Sequence, residues 1–278
     1  MALILRTVPA ASGRRWVRDG WSLFVRRPLA FTALFMIFLL AALVLAMLPV
    51  VGGLLQLMLL PLLSLGFMAA SQSALLGGPV HPRQFVEPLR AEPQRRQVLL
   101  QMCVIYGVVA LALLLLCDVV SDGAMRRLQE LMADQNSTPA QVDAILAEPG
   151  VQTAVIVGLV GAVLLSIPFW HAPALVHWGG QGLGQALFSS TLAILRSKAA
   201  FLVYGLTWVV LIFGFGLVTA VVFGLLGARS LASLVALPAG LMFSTVFYVS
   251  LLFAFNDSFG GSGPVGDDPP PTTTQSGV

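Results

Sequence analysis

Long charge-free apolar runs, separated by short clusters of charge, organise this chain. From Pro28 to Pro82 there is no Asp, Glu, Lys or Arg. A single helix of that length would reach about 80 Å, far beyond the roughly 30 Å of a bilayer core, so the run must fold back on itself. Pro49 with Gly52 and Gly53 supplies the turn and predicts spans over 29–50 and 53–75. The charge-free run 97–117 predicts one span, 98–118. The run 149–195 is too long for one span and holds Pro168, Pro173 and the glycines of 179–184, so it predicts a span over 151–175 followed by a segment lying at the interface. The last two runs predict spans over 200–226 and 231–255, hinged between Gly227 and Ser230. This pattern is that of an all-α polytopic transmembrane bundle of about six spans.

A second pattern precedes the odd-numbered spans. In 14–27, Val17, Trp21, Phe24 and Val25 recur on one helical face, while Arg15, Arg18, Ser22 and Arg26 fill the other. Such a cationic amphipathic helix is expected to lie in the headgroup plane. The segment 83–97 ends in Arg95 and Arg96. The segment 181–198 repeats the theme, with Leu187, Ile194 and Leu195 apolar and Arg196 and Lys198 at its end. The even-numbered spans each carry an aliphatic residue followed by proline, at Pro61, Pro168 and Pro238. A proline inside a span removes one hydrogen bond and bends the helix. Three copies of one unit are therefore expected: interfacial helix, straight span, bent span, with the kinks facing a shared axis. Gly216, Ala220 and Gly224 form a small-residue stripe that suits close helix packing inside the bundle, and Gly158 with Ala162 offers a lesser version.

Composition agrees with a membrane solvent: 58% of residues are hydrophobic and 10% charged, against about a quarter charged in soluble domains. The net charge of +3 does not point to nucleic acid, because the cations stand between apolar runs and not over a folded surface. Arg6, Arg14, Arg15, Arg18, Arg26, Arg27, Arg83, Arg90, Arg95, Arg96, Arg196 and Lys198 all fall on one side, and only Arg126, Arg127 and Arg229 on the other. The positive-inside rule then predicts cytoplasmic termini and a periplasmic loop over 119–150. The organisation expected is an N-terminal cytoplasmic segment, 1–28, a six-span domain, 29–256, and a disordered tail, 257–278, rich in Gly, Pro, Thr and Ser. The first apolar run follows 28 residues and shows no small-residue cleavage pattern, so it is read as a retained span. The bias toward Arg, Ala, Leu and Gly suggests a bacterial chain and hence the inner membrane.

Candidate chemistry is sparse. Cys103 and Cys117 share one apolar run about 21 Å apart along a helix and cannot pair with each other. His171 and His177 are about 240° apart around a helix, so they do not form a metal or haem pair. His171 is instead expected to act beside Trp170 as an interface anchor. The Gly260-Gly261-Ser262-Gly263 segment matches the serine motif of rhomboid-type proteases but has no later histidine to serve as base. No span holds a buried acid or base of the kind ion-coupled transporters use, with Asp118 at a span end. An intramembrane enzyme would need His171, Ser64 or Ser166. The expectation is a non-enzymatic module without cofactor or metal that contacts the lipid bilayer, its anionic headgroups or a partner protein through the cationic segments and Trp21. The alternative is a transporter of an uncharged solute or lipid. In the loop, 122–134 predicts a short helix, Thr138 with Gln141 a capping box for a second, and Asn136-Ser137-Thr138 a sequon.

Trp16, Gly20-Trp21, Phe24, Arg27-Pro28, Pro173-Ala174-Leu175-Val176, the stretch 186–190, Lys198, Phe201 and Tyr204-Gly205 together resemble a family of uncharacterised proteobacterial inner-membrane proteins. The resemblance covers all but the tail and implies six helices without implying an activity. More distantly, the layout is similar to the membrane domain attached to some glycerophosphodiester phosphodiesterases, here without their catalytic domain.

Overall fold

A computed structural model describes residues 3–49, 51–90, 92–134, 137–227 and 229–260. The tail expected to be disordered from 257 is helical through Phe259, because Asp257, Ser258 and Phe259 pack into the last turn of the final helix; the rest of it from 261 onward, the rhomboid-like serine and the sequon asparagine lie outside the described residues. The described elements are helical: α1 (Ser12–Arg26), α2 (Pro28–Ala46), α3 (Gly52–Leu75), α4 (Arg83–Val86) with a 3-10 turn (Glu87–Arg90), α5 (Pro93–Val120), α6 (Ala124–Ala133), α7 (Pro139–Leu146), α8 (Pro149–Phe169), α9 (Ala172–Gly179), α10 (Leu183–Arg196), α11 (Lys198–Leu225) and α12 (Arg229–Phe259). Six stretches are long and apolar enough to cross a membrane: α2, α3, α5, α8 with α9, α11, and Leu234–Phe259 of α12. Proline at the first turns of α2, α5 and α8 starts three of them where its missing N–H costs nothing. The loop folds as α6 and α7, and the predicted Thr138–Gln141 capping box opens α7.

Successive spans run antiparallel. One end of the bundle, the near end, gathers α1, α4, α9, α10, the start of α11 and the end of α12; the far end carries the end of α2, the start of α3, α6, α7 and the 226–227 turn. The core lies toward the near end, where the last turns of α12 form a pillar packed by α1, α3 and α11. Backbone N–H groups of Ile4 and Arg6 donate to the carbonyls of Phe259 and Ser258 at 3.2 and 2.8 Å, tying the N-terminal strand of chain to that pillar's orphan carbonyls.

Several sequence expectations change. The apolar face of α1 does not rest on lipid: Trp16, Val17, Gly20, Leu23 and Phe24 are buried against α11 and α12, while Trp21 and Val25 are exposed. Gly13 and Gly20 permit this, because an added Cβ would strike the backbone of Ala200 or the Ser250 side chain. The second unit of the expected repeat has only α4 and a 3-10 turn where the others have helices of 15 and 14 residues, so the threefold pattern is incomplete. Arg95 and Arg96 sit inside α5 and do not end a preceding helix.

The fourth span is broken within its expected limits. Past Pro168 the chain turns at Trp170 and His171, and α9 buries Ala172 to Val176 against α3, α5 and α10. The Ser190 hydroxyl mends the break, accepting from the His171 N–H and donating to the Ile167 carbonyl, each at 3.0 Å. The glycines of 179–184 do bend the chain, with Gly180 left-handed at φ 62° between α9 and α10.

Candidate functional site

The cations predicted to face lipid do gather at the near end, and they divide into two groups. Arg15 Nη2 and Trp16 Nε1 both donate to Asp257 Oδ2, at 2.7 and 2.8 Å, which pins α1 to α12. The hydrogen bond and charge of Asp257 push the Arg15 pKa up, so this guanidinium stays charged. Arg27 donates to the Gly78 and Gly77 carbonyls at the end of α3, and Arg95 donates to the His177 carbonyl at 3.1 Å while pairing with Glu92. These three are structural clamps. Arg18 pairs with its neighbour Asp19. Arg14, Arg26, Arg96, Arg196 and Lys198 are exposed, and none forms a salt bridge among the described residues.

A second site lies between the spans. Between α3, α5, α8 and α12 is a cavity of about 140 Å³ lined by Leu60, Pro61, Ser64, Tyr106, Ser166, Phe169, Trp170, Phe247, Tyr248 and Leu251. Trp170, Phe247 and Tyr248 are also the wall of a neighbouring cavity of about 460 Å³ between α11 and α12, which adds Tyr204, Trp208 and Phe243. That cavity shares Ile212, Gly240 and Phe243 with a third, of about 430 Å³, toward the far end. No Asp, Glu, Lys, Arg or His lines any of the three. The result is an uncharged, aromatic groove running from the bundle centre outward between α11 and α12.

The kinks divide in the same way. Pro61 lines the central cavity, and Pro168 lies between its lining residues Ser166 and Phe169. Pro238 is exposed, beside Ala239 of the outer groove, and does not share that axis. The stripe of Gly216, Ala220 and Gly224 does not pack on a helix as expected: nothing lies within 4 Å of a Cβ added at Gly216 or Gly224, and Gly216 and Ala220 line the outer groove. The reason is position, since α11 stands at the edge of the bundle beside α12, α1 and α10. Close packing occurs instead at Gly158 and Gly161 of α8, which meet Cys117 and Leu113 of α5. Cys103 and Cys117 are both buried and free, in keeping with their reading as small core hydrophobes.

His171 is not an interface anchor. Its side chain is fully buried, with ring centroids 5.7, 5.8 and 5.4 Å from those of Phe201, Phe255 and Phe259. It lines none of the three cavities. Ser64 and Ser166 do reach the central cavity, but each hydroxyl donates within its own helix, to the Pro61 and Val163 carbonyls at 2.9 and 2.8 Å. Among the described residues no base is brought to either serine, and no group of His, Cys, Asp or Glu could hold a metal.

Sequence reasoning passed over Tyr106 and Tyr248, and read Trp170 as an interface residue where it lines the two adjoining cavities. A signal for them existed: the chain has only three tyrosines, Tyr106, Tyr204 and Tyr248, and all fall within spans and not in the interfacial belts where tyrosine usually sits.

These features define a class, that of polytopic α-helical membrane proteins with a solid core at one end and an uncharged groove at its centre. Comparison makes the assignment specific. The chain is 33% identical over 258 residues to a probable inner membrane protein of Burkholderia thailandensis, an alignment covering 92% of this chain and 94% of the relative. It belongs to the same family of bacterial inner-membrane proteins as that relative. No protein-family model and no solved structure matches the chain.

Proposed function

We propose that this inner-membrane protein is a non-enzymatic lipid-binding module, with both termini in the cytoplasm and anionic headgroups held at its near end. The observation that carries the reading is the one-sided layer of unpaired cations, Arg14, Arg26, Arg96, Arg196 and Lys198, set where helices enter the membrane. Each such cation near an anionic leaflet contributes about 1 kcal/mol. The one-sided excess of arginine supports the cytoplasmic placement of this end. The absence of a base near Ser64 and Ser166 among the described residues supports the non-enzymatic reading.

The test is retention of phosphatidylglycerol by gently solubilised protein, read by native mass spectrometry. Replacing Arg14, Arg26, Arg96 and Arg196 with Glu is expected to strip the anionic lipid while leaving phosphatidylethanolamine unchanged. Equal retention of phosphatidylglycerol by that variant sinks the proposal. Arg15, Arg27 and Arg95 are unsuitable for the test because their loss also removes clamps.

A second reading, passage of an uncharged solute or lipid, draws on Pro61 and Pro168 flanking the central cavity. Replacing both with alanine is then expected to abolish flux in reconstituted vesicles, and normal flux removes the idea.

A further inference from the structure

The central cavity has a hydrogen-bonding character that the near-end cations do not share. Ser64 and Ser166 spend their donors on their own helices. Neither the Tyr106 nor the Tyr248 hydroxyl is hydrogen-bonded within the protein among the described residues, and Trp170 Nε1 is buried without a partner. Residues carrying three donors therefore line one small, partly open space between the spans, without a charge and without a protein acceptor for them. Unmade hydrogen bonds in such a setting are costly, so a ligand that supplies acceptors is favoured. The walls are flat and apolar: Phe169 stands edge-on to Tyr106 at 5.0 Å, and Trp170 edge-on to Phe247 at 5.9 Å.

Size and access narrow the ligand further. A volume of about 140 Å³ corresponds to roughly four or five water molecules, room for a compact head, and the lining has no cation to hold a phosphorylated one. The adjoining space of about 460 Å³ lies within the roughly 300–1,000 Å³ of small-molecule sites. It is lined by Gly240, Phe243 and Ile212 and leads between two apolar spans, which suits a hydrocarbon tail.

We propose that this cavity binds an uncharged lipid whose head carries carbonyl oxygens, the carbonyls accepting from Tyr106 and Tyr248 and the tail lying in the α11–α12 groove. Two membrane sources share this chemistry, the ring of an isoprenoid quinone and the ester pair of a diacylglycerol. The site is separate from the cationic layer, so either can stand without the other.

The experiment titrates the purified full chain in detergent with decyl-benzoquinone in one arm and dioctanoylglycerol in the other, reading bound stoichiometry by native mass spectrometry. Wild type is expected to retain one of the two, which names the source. Tyr106→Phe combined with Tyr248→Phe removes only two oxygens and is expected to weaken retention by about tenfold. Gly240→Leu, at a position with nothing within 4 Å of an added Cβ, fills the groove without touching the hydroxyls and is expected to weaken it too. Phosphatidylglycerol retention is expected to be unchanged in these variants and lost only in the arginine variant, which separates this proposal from the headgroup reading. Retention of neither compound by wild type, or of both equally by wild type and the two variants, overturns it.

Discussion

The two halves of α12 have nearly the same apolar composition and opposite surroundings. Toward the far end Leu234 and Leu237 are 71% and 70% exposed, and Ala239 is the buried residue of that stretch. Toward the near end Val246, Val249, Ser250, Leu251, Leu252, Ala254, Phe255, Ser258 and Phe259 are all buried. Hydrophobicity does not separate these halves, because lipid tails are as apolar as leucine and give no drive to bury one side chain rather than another. What separates them is directional contact. The near half has the Tyr204 hydroxyl on Ser250 Oγ at 2.7 Å, Trp16 and Arg15 on Asp257, and a stack of rings around Phe247 and Phe255. The far half lines the outer groove and is otherwise exposed.

Trp16→Ala strikes that difference hardest. It empties a site that is 1% exposed and leaves Asp257 with one donor, so a loss of about 3–5 kcal/mol is expected. Thermal unfolding in detergent checks it; a shift no larger than that of a far-half variant removes α1 from the core. Ser190→Ala leaves the His171 N–H and Ile167 carbonyl unpaired at the break in the fourth span, with an expected loss of about 1–3 kcal/mol in the same assay. A cost near zero means that another group mends the break. Tyr204→Phe removes the bond to Ser250 and is expected to cost about 0.6 kcal/mol, the average for hydrogen bonds between membrane helices. Leu237→Ala is expected to change stability by less than about 0.5 kcal/mol, since the side chain meets lipid in either state. A loss like that of Trp16→Ala contradicts the far half as drawn and points to a second copy or partner covering it.

Much of this was legible in the pattern of charges. Charge-free runs between arginine clusters predict six long apolar helices, because a membrane segment must exclude charge and fill a fixed thickness. The capping box of α7 and the bend at Gly180 were legible because they depend on neighbours in sequence. The candidate sites were legible only in part. The cation clusters were plain, but that Arg15, Arg27 and Arg95 are clamps depends on Asp257, Gly78 and His177, which lie 242, 51 and 82 positions away. The face of α1 was misjudged for the same reason: amphipathicity says that one stripe avoids water, and a packed helix and lipid satisfy it equally.

By itself, then, the sequence determined the apolar character of this chain, the number of its candidate spans, and which end carries the positive charge, since hydropathy and charge act residue by residue. The tertiary structure alone decided that His171 is sealed among three phenylalanines, that the stripe at Gly216 and Ala220 faces a groove, and that Pro61 lines a cavity also lined by Ser166 and Phe169 on either side of Pro168, while Pro238 stands apart. Those outcomes depend on which helices become neighbours. Inside a bilayer that choice is made by close packing and paired polar groups, which no single stretch of the chain contains.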